Sequence, residues 1–474
     1  MRNLYSVCGT TSLLRKNEKA EKPGFLPCGK IGMRFAIYIV RKLLMINIFG
    51  RAKVYGVVRI EALLFIKRIE GERKMMKQKK ALEGIKVLDM TQFLAGPYCG
   101  VTLADMGAEV IKIENPGVGD FVRIAVPQVN GVSIYYENMN RGKKSVTINL
   151  KTKEGKEIFA KLIAEADVLI ENNRPGVMER LGFSYEQAKK INPGIIYCSI
   201  SGFGQTGPYS QRPGYDLIGQ AMSGAMSITG MTGQIPLKFG VPIGDVLGGM
   251  NGAIGILAAL CYRKETGEGQ HIDTALVDGL VSSMLTNTMG YLVNGTIPGR
   301  SGNRYFNAYP YDSFSAKDGE YVISCGTDPH FVALTKAIGK PELIEDPRFK
   351  EFLVRKTNPH MDELKAIIDE WSSDKTVAEC VETLMAAEIP VAPIYDVKQM
   401  TEDPHIRDAR QMFVNVEHPV AGKITITGNP IKMSETPTTP VKCAPLLGEH
   451  NEEIYNAIGL DSATLQEYKE KKII

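Results

Sequence analysis

The chain has 474 residues, of which 44% are hydrophobic and 23% charged, which is ordinary for a soluble globular protein of two or more domains. The net charge of +4 hides two unlike parts, because residues 1–74 hold 16 Lys or Arg against 5 Asp or Glu, a balance of +11 that leaves the remainder at −7. No stretch reaches the roughly 18 uncharged apolar residues of a membrane-spanning helix, so we predict no transmembrane segment and no membrane partner.

Residues 1–76 form a basic N-terminal extension with apolar patches. Such a composition is typical of a targeting peptide or of an arm that binds nucleic acid or a membrane surface, yet no compact apolar run ends at a small-residue cleavage site. The alternative hypothesis is that the natural chain starts at Met75 or Met76. The codons for the preceding Glu70-Gly71-Glu72 can spell a purine-rich, ribosome-binding-like stretch, which favours that alternative.

After the extension, apolar periodicity predicts a strand at 85–90, a helix at 97–106 and a strand at 108–114. The helix opens at Gly96-Pro97, where proline suits a first helical turn. The pattern then repeats with a helix at 153–165, a strand at 167–170, a helix at 185–190 and a strand at 194–199. This alternation predicts an α/β fold with a mainly parallel sheet and ligands at the carboxyl ends of its strands.

The apolar, glycine-rich stretch 218–260 is expected to form helices packed deep in the core of this domain, which we place at 77–298. A loop at 299–303 opens a smaller α+β domain at 299–394. Its predicted strands lie at 311–314 and 320–325, and its helices at 329–338, 361–371 and 376–387. Residues 395–474 are expected to be polar helix that returns to the large domain.

One acid stands in an apolar, glycine-rich run. Asp245 lies within the sequence VPIGDVLGGM at 241–250, where neighbouring glycines allow close approach of a backbone or a substrate. A poorly hydrated carboxylate of this kind is an oxygen nucleophile, and we interpret Asp245 as the attacking group of an enzyme. The alternative is an acid that caps a helix starting near Val246, and the two roles are compatible.

Metal and dinucleotide chemistry have little support. The eight cysteines stand singly and the six histidines are dispersed, so the sequence predicts no metal site, and it predicts reduced thiols in a cytoplasmic protein. Glu114 ends the second strand where a ribose-binding acid would stand. The preceding turn at 95–100 is not GxGxxG, however, and Pro97 removes an amide that would bind pyrophosphate.

Several ordered motifs carry a family resemblance over residues 82–459. They are LDMTQFLAGP at 88–97, the strand at 108–114, KKS at 143–145, the segments 166–172 and 174–176, SGFG at 201–204 and GD at 244–245. In these residues the chain resembles the family III CoA-transferases, the formyl-CoA and carnitine CoA-transferase group (CaiB/BaiF family), whose relatives include alpha-methylacyl-CoA racemases. The motifs are specific for the family and not for a substrate.

The resemblance implies an interlocked homodimer, in which each chain has a large Rossmann-like CoA-binding domain and a small domain. It also implies a reaction in which Asp245 attacks an acyl-CoA thioester, forms an acyl-aspartyl anhydride and then an aspartyl-CoA thioester, and passes CoA to a carboxylic acid. Coenzyme A and acyl-CoA are substrates in this scheme, and no tightly bound cofactor is expected. The acids that donate and receive CoA stay open, with a preference for a small carboxylic or dicarboxylic acid.

The family pattern also assigns binding residues. The backbone at Phe93, Leu94 and Ala95 is expected to hold the nucleotide and the pantetheine arm, and four further residues match positions around them: Lys151, Asn172, Asn173 and Arg180. Lys143 and Lys144 are weaker candidates. The chain has Asn115 where some members of the family have an arginine, so part of the adenine or phosphate contact stays open.

Two pairs of glycines are expected to assist the reaction. Gly248 and Gly249 are candidate amide donors to the oxyanion that forms when the thioester is attacked. Gly299 and Gly302 are the first and last residues of a loop that is a candidate lid, which would keep water away from the acyl-aspartyl anhydride.

The main alternative is a racemase that acts on CoA thioesters. Where those relatives have a catalytic histidine this chain has Tyr215, and a phenol with a reference pKa of about 10 is a poor base at neutral pH. Tyr215 is therefore expected to bind substrate or to pack in the core. A nucleic-acid-binding protein is the non-enzymatic alternative, but no basic stripe with interleaved aromatics is present, and we predict no nucleic-acid partner.

Overall fold

The computed structural model describes residues 79–438, 440 and 442–474. The predicted basic extension at 1–76, with both candidate start residues, lies outside the described residues. Lys79–Ile474 form one compact unit. Within this unit, the first element of regular structure is a strand at Lys86–Asp89, one residue shorter at each end than the sequence predicts.

The centre of the fold is a six-stranded sheet whose neighbouring strands all run parallel, as the sequence predicts. Its strands are β1 Lys86–Asp89, β2 Glu109–Glu114, β5 Lys144–Thr147, β6 Val168–Glu171, β7 Ile196–Ser201 and β8 His271–Ala275. A short hairpin, β3 Gln128–Val129 and β4 Val132–Ser133, lies between β2 and β5. The order β5-β2-β1-β6-β7-β8 is that of a doubly wound sheet, which reverses between β1 and β6.

Helices cover both faces of this sheet. The helices of this region are α1 Ala95–Asp105, α2 Ile134–Asn140, α3 Lys153–Glu165, α4 Val177–Leu181, α5 Tyr185–Ile191, α6 Asp216–Met222, α7 Ala225–Ile228, α8 Ile243–Thr266, α9 Leu276–Ser283 and α10 Leu285–Asn294, with a 3₁₀ turn at Phe121–Ile124. One core joins α1 and α8 to the sheet through residues such as Leu103 and Ile256. The other joins α3 to the opposite face through Phe159 and Leu162. Burial on both faces explains the adjacent apolar residues of the central strands, such as Val168-Leu169-Ile170 in β6.

The region that follows has a core of its own. Its three-stranded antiparallel sheet consists of β9 Tyr311–Ala316, β10 Gly319–Ser324 and β11 Val391–Pro393. Its helices are α11 Asp328–Ala337, α12 Phe352–Arg355, α13 His360–Ser372 and α14 Val377–Ala386, with a 3₁₀ turn at Pro341–Ile344. Buried side chains of the strands and helices, among them Phe314, Phe331 and Leu364, form one cluster. Strand β11 has only three residues, too few for a period to show in the sequence.

The C-terminal part contains a hairpin that the sequence does not reveal. Its elements are α15 Val397–Glu402, a π-helical turn His405–Ala409, β12 Phe413–His418, β13 Gly422–Thr427, α16 Asn451–Ala457 and α17 Ser462–Glu470. Buried contacts attach this part to the six-stranded sheet and its helices: Tyr455 donates to the Thr147 carbonyl over 2.7 Å, and the Ala444 amide donates to Glu137 over 2.9 Å. Hairpin residue His418 also lies 3.5 Å from Glu137, with both side chains buried.

The stretch 218–260 differs from its expected burial in the core. Residues 229–242 form neither helix nor strand, and several of their apolar side chains are exposed. Among the described residues, one helix, α8, is long enough and apolar enough to cross a membrane, judged by length and composition alone. The sequence analysis did not identify this helix as a candidate. In the fold, buried glycines on one side of α8 pack against α1 and β7.

Candidate active site

A cavity of about 280 Å³ lies where the strand order reverses, at the carboxyl ends of β1, β6 and β7. Open parallel sheets bind ligands at such a point, because the loops after neighbouring strands diverge there. The cavity is lined by Gln92, Phe93, Leu94, Ala95, Asn172, Asn173, Arg174, Pro175, Ile200, Ser201, Gly202, Ser210, Arg212, Pro213, Gly214, Tyr215, Asp245 and Leu276. It thus brings together Asp245, Tyr215 and five of the seven predicted CoA-binding residues.

Asp245 occupies the first turn of α8, which begins at Ile243 and not near Val246. Partial burial and the negative charge of Asp216 raise the pKa of Asp245 to about 7. A carboxylate that is costly to ionise is also poorly hydrated, which makes its oxygen more reactive toward an electrophilic carbon. Asp245 therefore has access to a cavity, and its surroundings make its carboxyl group costly to ionise.

Asp216 fixes the start of the helix that carries Asp245. One carboxylate oxygen of Asp216 accepts the Gly244 N–H over 2.7 Å, and the other accepts a hydrogen bond from the Gln220 amide over 2.6 Å. The side-chain oxygen Oε1 of Gln220 in turn accepts a hydrogen bond from the Phe239 N–H over 2.8 Å. In the sequence, only the position next to Tyr215 marks Asp216.

The loop after β1 lines the cavity with its backbone. Phe93 has φ +66°, a left-handed conformation that is unfavourable for a bulky residue. Its ring stacks on Phe121, with centroids 5.9 Å apart, and meets the edge of Tyr215 at 6.2 Å. The Asn172 side chain accepts the Gln92 N–H over 2.9 Å and donates to the Gln92 carbonyl over 2.8 Å. The loops after β1 and β6 are therefore joined at the cavity.

Two predicted CoA-binding residues lie outside the cavity. Lys151 and Arg180 are exposed, Lys151 after β5 and Arg180 in the last turn of α4. Asn173, in contrast, is held by its backbone N–H, which donates to Glu171 over 2.8 Å. A long ligand that starts in the cavity would have to extend over the surface to reach the two exposed cations.

The glycine pairs do not occupy the positions expected for donors and lid. Gly248 and Gly249 lie inside α8 and are not among the residues that line the cavity. Their amides have carbonyl acceptors one turn earlier in the helix, so they are not free to bind an oxyanion. A Cβ on Gly248 would lie 2.6 Å from a methyl of Leu276, and one on Gly249 would collide with the Ala95 carbonyl. Their role in this structure is close packing.

Gly299 and Gly302 line a second cavity, of about 1000 Å³, that does not include Asp245. Arg300 and Arg304 line it as well, and Arg304 is paired with Asp312 at 2.9 Å. Within one chain, the loop 299–302 is therefore not a cover for the cavity of Asp245.

Sequence reasoning missed two cations of the site. Arg174 and Arg212 both line the cavity of Asp245. The Arg212 guanidinium stacks over the Tyr209 ring at 3.9 Å from its centroid. Arg174 could have been found from the motif NNRPG at 172–176, whereas nothing in the sequence separates Arg212 from a surface arginine.

Glu114 is not available to a ribose. Its two oxygens accept hydrogen bonds from Arg123 over 2.7 and 2.6 Å, and Ser145 donates to it over 2.7 Å. These interactions outweigh the opposing effect of burial and hold the pKa of Glu114 below its usual value. Among the described residues, no group of three or more His, Cys, Asp or Glu is placed to hold a metal ion.

Known proteins resemble this chain over the region that contains the fold and the cavity described above. Residues 82–451 match the family described as CoA-transferase family III. The chain is 41% identical over 394 residues to a succinyl-CoA:mesaconate CoA-transferase of Haloarcula marismortui, which covers 81% of this chain and 98% of that protein. It is 42% identical over 359 residues to an acetyl-CoA:oxalate CoA-transferase of Acetobacter aceti, over 76% of this chain and 90% of that protein.

A solved structure agrees with this match. The crystal structure of a CAIB/BAIF family protein from Brucella suis superposes with a TM-score of 0.73 at 38% sequence identity. The alignment covers 80% of this chain and 100% of that chain. The family match over residues 82–451 includes every strand of the six-stranded sheet and every residue that lines the cavity of Asp245.

Proposed function

The chain belongs to CoA-transferase family III and is a CoA-transferase, and we propose that it moves CoA from an acyl-CoA to a carboxylic acid through covalent intermediates on Asp245. The observation that carries this proposal is the position of Asp245. It lines the cavity at the sheet's reversal point, and its pKa is raised to about 7. The position matters more than the pKa, because burial also raises the pKa of Glu137 to about 7, and Glu137 does not line the cavity.

The first half of the reaction forms two intermediates. A carboxylate oxygen of Asp245 attacks the thioester carbonyl carbon, the C–S bond breaks, and the electron pair leaves with the CoA thiolate. The product is a mixed anhydride of Asp245 and the donor acid. The thiolate then attacks the aspartyl carbonyl carbon, the bond to the donor oxygen breaks, and the donor leaves as a carboxylate. Asp245 is left as a thioester of CoA.

The second half repeats these steps with the acceptor. The acceptor carboxylate attacks the aspartyl thioester carbon and expels the CoA thiolate, which forms a second anhydride. The thiolate attacks the acceptor carbonyl carbon, and the Asp245 carboxylate leaves in its original state. No net proton or redox change is needed, so the residues of the site have only to bind, orient and stabilise negative charge.

Amides at the start of α1 are better placed for this last task than those of Gly248 and Gly249. Ala95 and Gly96 are the first two residues of α1, where N–H groups have no acceptor within the helix. The Ala95 carbonyl packs against Gly249, which brings the start of α1 beside the second turn of α8. We assign the oxyanion contacts to the amides at this end of α1, where the helix dipole adds to the attraction.

The acceptor we propose is a small dicarboxylic acid. One carboxylate of such an acid reacts at Asp245, and the other needs a cation within the same cavity. Arg174 and Arg212 both line it, and a guanidinium can bind a carboxylate through two parallel hydrogen bonds. The names of two relatives, which include succinyl-CoA with mesaconate and acetyl-CoA with oxalate, support this class of substrate.

The nucleotide end of CoA is proposed to extend from the cavity over the surface. Lys151 and Arg180 are exposed and supply positive charge for its phosphates on an otherwise acidic body. No tightly bound cofactor is needed, because CoA enters and leaves as part of the substrates. A cytoplasmic location is proposed on the unpaired cysteines alone.

Trapping of the acylated aspartate tests the proposal. Incubation with an acyl-CoA and hydroxylamine should convert Asp245 to a hydroxamate that mass spectrometry locates, and Asp245→Ala should abolish both the adduct and CoA exchange. Asp278 also lies in a first helical turn but is exposed and outside the cavity, so Asp278→Asn is the matched control and should retain activity. Exchange of CoA by the Asp245→Ala variant would refute the mechanism.

A further inference from the structure

Four charged side chains lie beneath the loop that forms one wall of the cavity. They are Asp89, Lys112, Asp120 and Lys143, here called the buried quartet, and each side chain is 0% exposed. Lys143 pairs with Asp89 at 2.7 Å, and Lys112 pairs with Asp120 at 2.9 Å. Two positive and two negative charges therefore balance within the protein interior.

The hydrogen bonds of the quartet converge on the backbone of residues 91–93. The Thr91 N–H donates to Asp89 over 2.9 Å, and Lys112 donates to the Thr91 carbonyl over 2.8 Å. The Phe93 N–H donates to Asp120 over 3.3 Å. Since Asn172 binds both polar groups of the Gln92 backbone, side chains from four different segments hold this short loop.

The loop needs such support because one of its residues is strained. A left-handed backbone at a non-glycine residue costs roughly 1–3 kcal/mol and persists only when the surroundings determine it. Asp120 supports both the backbone and the side chain of Phe93. It binds the Phe93 amide directly, and it also caps the 3₁₀ turn whose first residue, Phe121, stacks on the Phe93 ring.

Stability alone does not account for buried charges at this place. Removing two charges from water is costly, and apolar residues of similar volume often stabilise a core as well or better. Burial opposes ionisation of Asp89, yet the positive charges of Lys143 and Lys112 hold its pKa below the usual value. Asp89 therefore stays ionised beside Lys143, and hydrogen bonds of the quartet are directed at the loop.

We propose that Lys112 and Asp120 are positioning residues, which hold residues 91–93 in the shape that receives the CoA thioester. The inference depends on the proposed function, because it assumes that the thioester binds along this loop. It adds a role for two side chains that do not line the cavity and that act only through Thr91 and Phe93.

The test replaces the pair without leaving a lone buried charge. The double variant Lys112→Met/Asp120→Asn removes both charges and keeps similar volumes. We expect KM for the acyl-CoA to rise about tenfold while kcat changes less than about threefold, because the loop binds substrate and transition state alike. Hydrogen exchange in residues 90–94 should become faster, while exchange in β6 and β7 should not change.

The matched control is another buried ion pair, which is remote from residues 91–93. Arg141 and Asp105 pair at 2.6 Å, with both side chains less than a tenth exposed, at the far end of α1 from the loop. Arg141→Met/Asp105→Asn should leave KM for the acyl-CoA within about twofold of the wild-type value, since it breaks a similar pair without touching residues 91–93. An equal rise of KM in both double variants would overturn the inference.

Two further measurements keep the inference testable. In the wild-type protein, amides of Thr91, Gln92 and Phe93 should exchange far more slowly than those of exposed loops, and rapid exchange would overturn the inference even if the double variant fails to fold. If the wild-type protein transfers CoA and the double variant folds with an unchanged KM, the positioning role is refuted and the proposed function is not. A wild-type protein that neither binds nor transfers CoA refutes the proposed function instead.

Discussion

At the scale of single residues, the chemistry of Asp245 depends on which of two opposed effects is larger. The N-terminus of α8 attracts negative charge and by itself would favour ionisation by roughly 0.3–1 kcal/mol. Burial and the nearby charge of Asp216 oppose it and raise the pKa to about 7. Desolvation is therefore the larger effect, and Asp245 changes charge near neutral pH.

The first prediction concerns the pH dependence of the reaction. Only the ionised carboxylate is a nucleophile, so kcat/KM should rise with pH, reach half its maximum near pH 7 and level off above it. Asp216→Asn keeps an oxygen that can accept the Gly244 N–H but removes the like charge. Its profile should shift to lower pH. Initial rates from pH 5 to 9 give both midpoints, and a wild-type profile that is flat over this range would contradict the prediction.

The second prediction concerns stability. The pKa of Asp245 is raised in the fold from its usual 3.8, so the folded state binds the proton more tightly between pH 3.8 and about 7. Its contribution to stability is complete below that window and is lost as pH rises through it. Asp245→Asn should therefore raise the free energy of unfolding at pH 8, by about 1–2 kcal/mol after allowance for partial exposure.

Urea unfolding at pH 5 and pH 8 checks this expectation. The gain of the Asp245→Asn variant over wild type should be smaller at pH 5, where Asp245 in the folded wild-type protein is mostly protonated. A variant less stable than wild type at pH 8 would show that Asp245 is paired with a cation in solution.

At the scale of elements, the site depends on how closely α1 and α8 approach each other. The Ala95 carbonyl in the first turn of α1 lies against Gly249 in α8, where no side chain fits. This approach places Ala95, the first residue of α1, beside the second turn of α8, and Ala95 and Asp245 line the same cavity. The glycines that the sequence suggests as donors are thus spacers that set the distance between two helix ends.

The third prediction follows from this contact. Gly249→Ala places a methyl group against backbone, which cannot move without shifting a helix, so it should lower the free energy of unfolding by about 1–3 kcal/mol and reduce kcat strongly. Gly194→Ala is the matched control, because a Cβ there would lie 3.5 Å from the Gly267 carbonyl, an ordinary contact with a backbone atom. It should be neutral or raise stability by up to about 1 kcal/mol. Equal effects at both positions would contradict the packing role.

At the scale of the whole molecule, one described unit leaves much apolar surface uncovered. Helix α10 buries none of its residues, and Leu292 and Val293 are 76% and 84% exposed. Exposed apolar patches of this kind mark interaction surfaces. A homodimer would bury them, and it would also allow the loop 299–302 of one chain to cover the cavity of the other. We therefore propose that the protein forms a homodimer.

The fourth prediction tests assembly. Light scattering should give the mass of a dimer for the wild-type protein, and Leu292→Asp/Val293→Asp should give a monomer with activity reduced at least about tenfold, because the loop would then be missing from the site. Leu353→Asp, at a residue of α12 that is 68% exposed, is the control and should stay dimeric. A monomeric wild-type protein with full activity would contradict the proposal.

Fold and site were predictable from the sequence to different degrees. The buried strands β1 and β2 contain the short apolar runs Val87-Leu88 and Val110-Ile111, and these were enough to predict the parallel sheet although Lys112 interrupts β2. The edge strands β5 and β8 were not predicted, because each has an exposed side on which polar residues such as Lys144 and His271 are tolerated. Asp245, Phe93 and Asn172 were found through motifs. Arg212, by contrast, reaches the cavity only through the folding of a loop without regular structure.

The amino-acid sequence by itself determined the fold class, the family and the identity of the candidate nucleophile, because apolar periodicity and short motifs are local properties of the chain. Only the tertiary structure decided what surrounds that nucleophile. The pKa of Asp245 depends on burial and on Asp216, which approaches it through the Gly244 amide. The packing role of Gly249 likewise depends on a backbone carbonyl more than 150 positions away, and contacts between distant segments exist only once the chain has folded.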